Sequence, residues 1–173
     1  MRPIECDVPP GSAVGRGQMS AATFRDSWRV PLDQRDAGVV DIYFSIFGHR
    51  PGWMKCLLIG RNRIARLFGL ETASEAEIQS SERKGSYRVG DRIGAWPIFS
   101  LDETELIAGR DNRHLDFRVS VMKIEDGQGA AAVLSTLCRV HNTSGRCYLF
   151  LIKPFHRLGV QYLLSSALAA QRL

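Results

Sequence analysis

The stretch from Thr104 to Leu173 constrains the fold most: segments of alternating apolar and polar residues hand over there to a long apolar tail at helical spacing. Glu105 to Arg110, His114 to Glu125 and Ala130 to Asn142 read as strands. Asp111-Asn112 and Glu125-Asp126-Gly127-Gln128-Gly129 between them carry turn chemistry. Strands joined by such short connections pair antiparallel. On the first long strand Leu115, Phe117, Val119 and Val121 share one face, and His114, Asp116, Arg118 and Ser120 share the other. On the next, Leu134, Thr136, Cys138 and Val140 oppose Ser135, Arg139 and His141. One apolar and one polar face predict a sheet covered on one side, its polar face in solvent.

The tail reads as one long helix from about Ser144, with a stripe running from Tyr148 through Ile152, Phe155, Leu158 and Tyr162 to Ala170. A kink is expected at Pro154, which removes an i→i−4 bond. The apolar run Cys147 to Ile152 also permits a final strand to Lys153, with a helix starting at Pro154.

Upstream, Phe24 to Leu32 reads as a first strand in which Trp28 and Val30 alternate with charged neighbours. Asp33 is the expected N-cap of a helix whose apolar face holds Val39, Ile42, Tyr43, Ile46 and Phe47. After Pro51-Gly52 a second helix spans about Trp53 to Phe68, with a stripe of Trp53, Leu57, Gly60, Ile64 and Leu67, and Gly69 as its stop. Residues 71–84 read as a loop or short helix. Further strands are expected at Tyr87 to Arg92 and Trp96 to Leu101. Residues 1–22, rich in Pro, Gly and Ser and without periodicity, are expected to form a flexible arm ahead of a single domain over 23–173.

Several function classes fall away. No run of about 18 apolar residues could span a membrane, and the N-terminus lacks a signal-peptide core, so a cytoplasmic location is expected. The net charge of +5 is mild and not clustered as in a nucleic-acid binder, so no such partner is expected. The four cysteines, Cys6, Cys56, Cys138 and Cys147, form no closely spaced pair, which argues against structural zinc. No GxSxG, Walker or dinucleotide fingerprint is present, so no cofactor is expected. The carboxylates Asp102, Glu103, Glu105 and Asp111 sit in or beside turns and are read as solvated.

Strand, two helices, antiparallel strands and a long last helix is the element order of the α+β helix-grip fold. Gly90 to Val121, containing the word HLDF, and Arg139 to Leu158, with R-V-H-N, G-R-x-Y and P-F-H, resemble a bacterial family of unknown function, domain-of-unknown-function family 2867. The resemblance covers about Ser27 to Leu168. That family looks like a member of the START-related, birch-pollen-allergen-like (SRPBCC) superfamily. The resemblance implies a curved sheet of six or seven strands around the last helix, with a cavity between them, and transfers no reaction.

An apolar small-molecule ligand with one polar end is the expected partner. Its predicted lining is Leu106, Leu115, Phe117, Val119, Leu134, Thr136 and Cys138 from the sheet, with Tyr148, Ile152 and Phe155 from the helix. At the strand-to-helix junction His141, Asn142, Arg146 and His156 could orient the polar end. Asn142 or Ser144 as helix cap and Tyr148 as core residue is the other reading of the same segment. A cyclase-like enzyme using one His, Tyr or Asp in the cavity is the alternative function. The second helix carries Lys55, Arg61, Arg63 and Arg66 without an acid, which reads as a solvated basic face or as a weak contact with an anionic membrane surface.

Overall fold

The first long strand lies beside the last, and this pairing closes the architecture. The computed structural model describes residues 2–49, 51–67, 83–127 and 129–173, excluding the side chains of residues 55–58, 64 and 67. In chain order the elements are β1 (Ile4–Glu5), β2 (Phe24–Pro31), α1 (Val39–Phe47), α2 (Gly52–Leu67), β3 (Arg92–Ile93), β4 (Trp96–Leu101), β5 (Glu105–Arg110), β6 (Leu115–Asp126), β7 (Gly129–Val140) and α3 (Thr143–Ala169). The strands form one antiparallel sheet in the order β1-β2-β7-β6-β5-β4-β3. The protein is therefore α+β, an open seven-stranded sheet with a long C-terminal helix.

The strands expected at Trp96 to Leu101 and Glu105 to Arg110 have those bounds. Tyr87 to Arg92 is not a strand, because pairing begins only at Arg92. The chain turns there instead: Gly90 sits at φ +91, and the Asp91 carboxylate accepts the backbone N–H of Arg88 at 2.9 Å. Asp33 does not cap α1. The helix starts after Gly38, which offers no side-chain cap, and Asp41 in its first turn favours the N-terminal dipole. The apolar face read for α1 is buried in full.

On α2 the stripe turns out differently. Met54, Asn62 and Ala65 are buried, whereas Trp53 is exposed and meets the Tyr162 ring edge-on. The expected contributions of Leu57, Ile64 and Leu67, the Gly69 stop and the segment up to residue 82 lie outside the described residues. The C-terminal segment settles as a single helix that runs through Pro154. Pro154 has no N–H for the Phe150 carbonyl, and that turn faces solvent, where water can take the bond.

Both sheet faces are covered, which corrects the one-sided sheet and the solvated polar row. On the inner face Trp28, Val30, Leu106, Val119, Val121 and Leu134 pack against α1 and the second half of α3. On the outer face Ile107 and Leu137 interrupt the polar residues and pack with Val14 and Met19 of the N-terminal segment. Burying those two side chains favours the covered state by about 1.5–3 kcal/mol each. The segment expected as a flexible arm thus carries β1, paired with β2, and a 3-10 turn at Gly17–Ala21.

Glu105, read as solvated, is buried beneath this segment. Its carboxylate accepts the Ala13 N–H at 2.7 Å and the hydroxyls of Ser12 and Ser120. Asp116 and Arg118 are buried as well. The Arg118 guanidinium lies 3.5 Å from the Phe99 ring centre and 2.6 Å from Asp111, and His141 lies 2.8 Å from Asp116. Polar residues on an outer face can be buried once they satisfy one another.

Glu105→Ala leaves the buried hydroxyls of Ser12 and Ser120 and the half-buried Ala13 N–H without their acceptor. A loss of about 3 kcal/mol in urea denaturation is expected, with early proteolysis of the N-terminal segment.

Candidate functional site

The N-terminus of α3 is fixed at two points. The Asn142 side chain caps it, accepting the Gly145 N–H at 3.1 Å, and lies 3.0 Å from His114 Nδ1. Gly145 itself packs so closely on β6 that a Cβ would come within 2.2 Å of the His114 carbonyl oxygen. Asn142 and His141 therefore do structural work: one caps the helix, and the other pairs with Asp116 on the outer face. Of the two cap candidates, Asn142 and Ser144, Asn142 is the cap.

Further along, α3 crosses β2 at a buried carboxylate. Alternation on β2 puts Phe24, Asp26, Trp28 and Val30 on the inner face, so Asp26 shares its side with three apolar residues. Its side chain is 0% exposed. The Trp28 indole donates to it at 3.0 Å and Arg157 Nε at 3.2 Å, and His156 Nε2 stands 3.3 Å away. Arg157 also pairs with Glu5 on β1. Burial by itself would raise the Asp26 pKa, but the His156, Trp28 and Arg157 interactions outweigh it and hold the carboxyl below its ordinary value. Thr136, one of the predicted lining residues, is the cross-strand neighbour of Asp26 and is buried with it. The available signal for Asp26 was a carboxylate in phase with Phe24, Trp28 and Val30.

Beside this cluster lies an open groove of about 300 Å³, lined by Thr23, Phe24, Val140, Arg146, Leu149, Phe150 and Lys153. Its walls are largely apolar, and its two charged residues are both cations. Lys153 Nζ lies 5.6 Å from the centre of the Phe24 ring. The same ring meets His156 edge-on at 5.7 Å. Phe24 thus separates the groove from the Asp26–His156 pair by one aromatic side chain.

The predicted apolar lining divides between two packed clusters. Leu106, Val119 and Leu134 join the main core with α1. Leu115, Cys138 and Tyr148 form a second cluster with Phe24 and Ala65, against which Ile152 is half-buried, and Phe117 touches both clusters. Phe155 is not among them: it is exposed on the opposite side of α3. Within the second cluster, burial pushes the Cys138 thiol up to about 12, against the opposing charge of Arg61, which makes it an unreactive core residue. Tyr148 is likewise raised by burial, with Arg61 opposing. Its hydroxyl lacks a hydrogen bond of normal geometry, and the Arg61 guanidinium stands 5.6 Å from its ring centre. Arg61, expected on a solvated face, is therefore turned inward.

Among the described residues no group of three or more His, Cys, Asp or Glu is placed to hold a metal ion. No described helix is long and apolar enough to cross a membrane.

Fold and site together define an α+β protein in which a seven-stranded antiparallel sheet packs on its C-terminal helix around a buried carboxylate, with a largely apolar groove carrying two cations alongside. The family described as "Protein of unknown function (DUF2867)" matches residues 19–163, and the chain belongs to that family. No curated protein and no solved structure matches the chain.

The folded-state pKa of Asp26 lies below the unfolded value, which is about 3.9. Its stabilisation is therefore full above the unfolded pKa and is lost as pH falls through the folded one. At neutral pH Asp26→Asn is expected to cost about 3 kcal/mol, because the paired cation stays behind without its charge partner. Urea denaturation across acidic pH checks both points: the wild type should lose more stability on acidification than Asp26→Asn.

Proposed function

We propose that this protein binds a small amphipathic molecule, lipid-like or aromatic, whose apolar body lies in the groove between the sheet and α3 and whose anionic end meets Arg146 and Lys153. The observation that carries this reading is the groove itself: apolar walls with two cations and no acid among its lining residues. Apolar walls with a few placed polar groups are the usual composition of small-molecule sites. A sheet packed along a 27-residue C-terminal helix is also the arrangement expected of a helix-grip, START-related (SRPBCC) domain, which supports a carrier role. In this reading the protein is bacterial and cytoplasmic.

Decanoate and 2-naphthoate are suitable probes, with titration calorimetry as the measurement. The double substitution Arg146→Glu with Lys153→Glu is expected to weaken both by about tenfold or more through charge reversal, and to leave decanol binding nearly unchanged. Absence of saturable binding, or equal loss for acid and alcohol, would exclude the groove as an anion-selective site.

A second reading rests on Asp26 and His156. A buried carboxylate beside an imidazole, one ring away from the groove, is the kind of pair that moves a proton in a cyclase-like enzyme. In that case His156→Gln would bind the probes normally, while a ligand recovered from the wild type would be chemically altered and one recovered from the variant would not. Recovery of unaltered ligand from both favours the carrier.

A further inference from the structure

Two hydrogen-bond donors meet where α2 packs against α3, and no acceptor serves either of them fully. Tyr148 is 2% exposed, and its hydroxyl has no hydrogen-bond partner among the described residues. The Arg61 guanidinium carbon stands 5.6 Å from the Tyr148 ring centre. Toward the phenol Arg61 acts only as donor and charge, because a guanidinium carries five N–H groups and no acceptor. The Tyr148 O–H proton therefore gains nothing from it. Arg61 Nη1 donates to the Asn62 side-chain oxygen at 3.1 Å, and among the described residues Arg61 has no acid partner.

The surroundings supply no anion. Phe24, Ala65, Leu115 and Cys138 form the buried cluster around Tyr148. The Cys138 thiol, pushed up to about 12 by burial, stays protonated. Helices α2 and α3 contain no Asp or Glu. Asp26, the buried carboxylate of the inner face, is already held by Trp28, Arg157 and His156. A cation against apolar residues calls for a counter-charge, and a buried hydroxyl calls for an acceptor. One acceptor-only group answers both.

We propose that Arg61 and Tyr148 form a binding site for a carboxylate monoanion, gripped by the guanidinium fork and by the Tyr148 hydroxyl. A planar carboxylate matches the fork, which a spherical ion does not. Charge selects against dianions: one guanidinium balances one negative charge, and the excess would be stranded among apolar side chains. Arg61 is half-buried, so its side chain connects the cluster with solvent. The site uses neither Arg146 nor Lys153, and it stands whether or not the groove binds an amphipathic molecule.

The test is proton–nitrogen NMR of the full chain while sodium formate replaces sodium sulfate at constant ionic strength, followed at the Arg61 Nε–H and the Ala65 amide. A saturable shift of both is expected. Tyr148→Phe should weaken formate about threefold or more, and Arg61→Gln about tenfold or more. Hexanoate tells the sources apart: its exclusion from the two signals identifies a free small acid, its binding the head of a longer one, and either supports the site. Melting curves give a second readout that needs only Tyr148→Phe. In sulfate this variant should melt at or above the wild-type temperature, because phenylalanine fills the same space and removes an unmet donor. In formate the wild type should gain relative to the variant. The absence of a saturable shift, or a formate response that Tyr148→Phe leaves unchanged, overturns the proposal. So does Tyr148→Phe melting below the wild type in sulfate, since the hydroxyl would then already have its partner.

Discussion

A carboxylate with no access to water has to be surrounded by donors, and Asp26 organises the molecule on that account. Its inner-face position on β2 demands partners from the element that covers it, and α3 delivers His156 and Arg157 at neighbouring positions, while Trp28 reaches back from its own strand. Arg157 then extends to Glu5, which ties the edge strand into the same network. The height and rotation of α3 over the sheet follow from these contacts together with the close seat of Gly145 on β6. The groove exists because α3 is held at that height: Phe24 and Val140 form the sheet side of it, and Arg146, Leu149 and Lys153 the helix side.

The two sheet faces use polar residues differently. Inside, one carboxylate stands among apolar neighbours. Outside, Glu105, Asp116 and Arg118 are buried by mutual pairing and by what lies over them. Neither arrangement contributes much net stability over well-packed apolar residues, since desolvation offsets most of the attraction. What such groups supply is uniqueness: a shifted register or a displaced N-terminal segment leaves a buried charge unsatisfied.

Local patterns were legible where local forces decide. The bounds of β4 and β5 followed from alternation between turn residues, the apolar face of α1 from its spacing, and the cap of α3 was narrowed to Asn142 or Ser144, of which Asn142 is the one. What escaped depends on distant partners. Period two separates the faces of β6 correctly but does not say that Val14 and Met19 will cover the polar one. Asp33 has good capping chemistry, yet the chain turns through Gln34 and Ala37 and the helix starts later. Asp26 looked like one of several charges beside Trp28, and only the arrival of α3 distinguishes it from Arg25 and Arg29 on the outer face. The junction residues divided likewise: His141 and Asn142 became structural, whereas Arg146 came to the groove and His156 to the carboxylate behind it.

The neighbourhood of β2 and β7 in the sheet has a consequence for the order of events in time. Thr23 donates its hydroxyl to the carbonyl of Cys138, 115 positions later in the chain. A chain emerging from the ribosome can form the β4–β5–β6 meander from sequence neighbours, but the edge of β2 opposite the two-residue β1 has no partner until β7 appears. Asp26 has no counter-charge until α3 follows. During that interval a strand carrying Phe24, Trp28 and Val30 has the edge that β7 will take open, a state prone to intermolecular pairing. Closure is then a late, long-range step, and topology of this kind sets slow folding. The charges at Arg25, Asp26 and Arg29 interrupt that apolar strand and keep it from becoming a template for other chains while it waits.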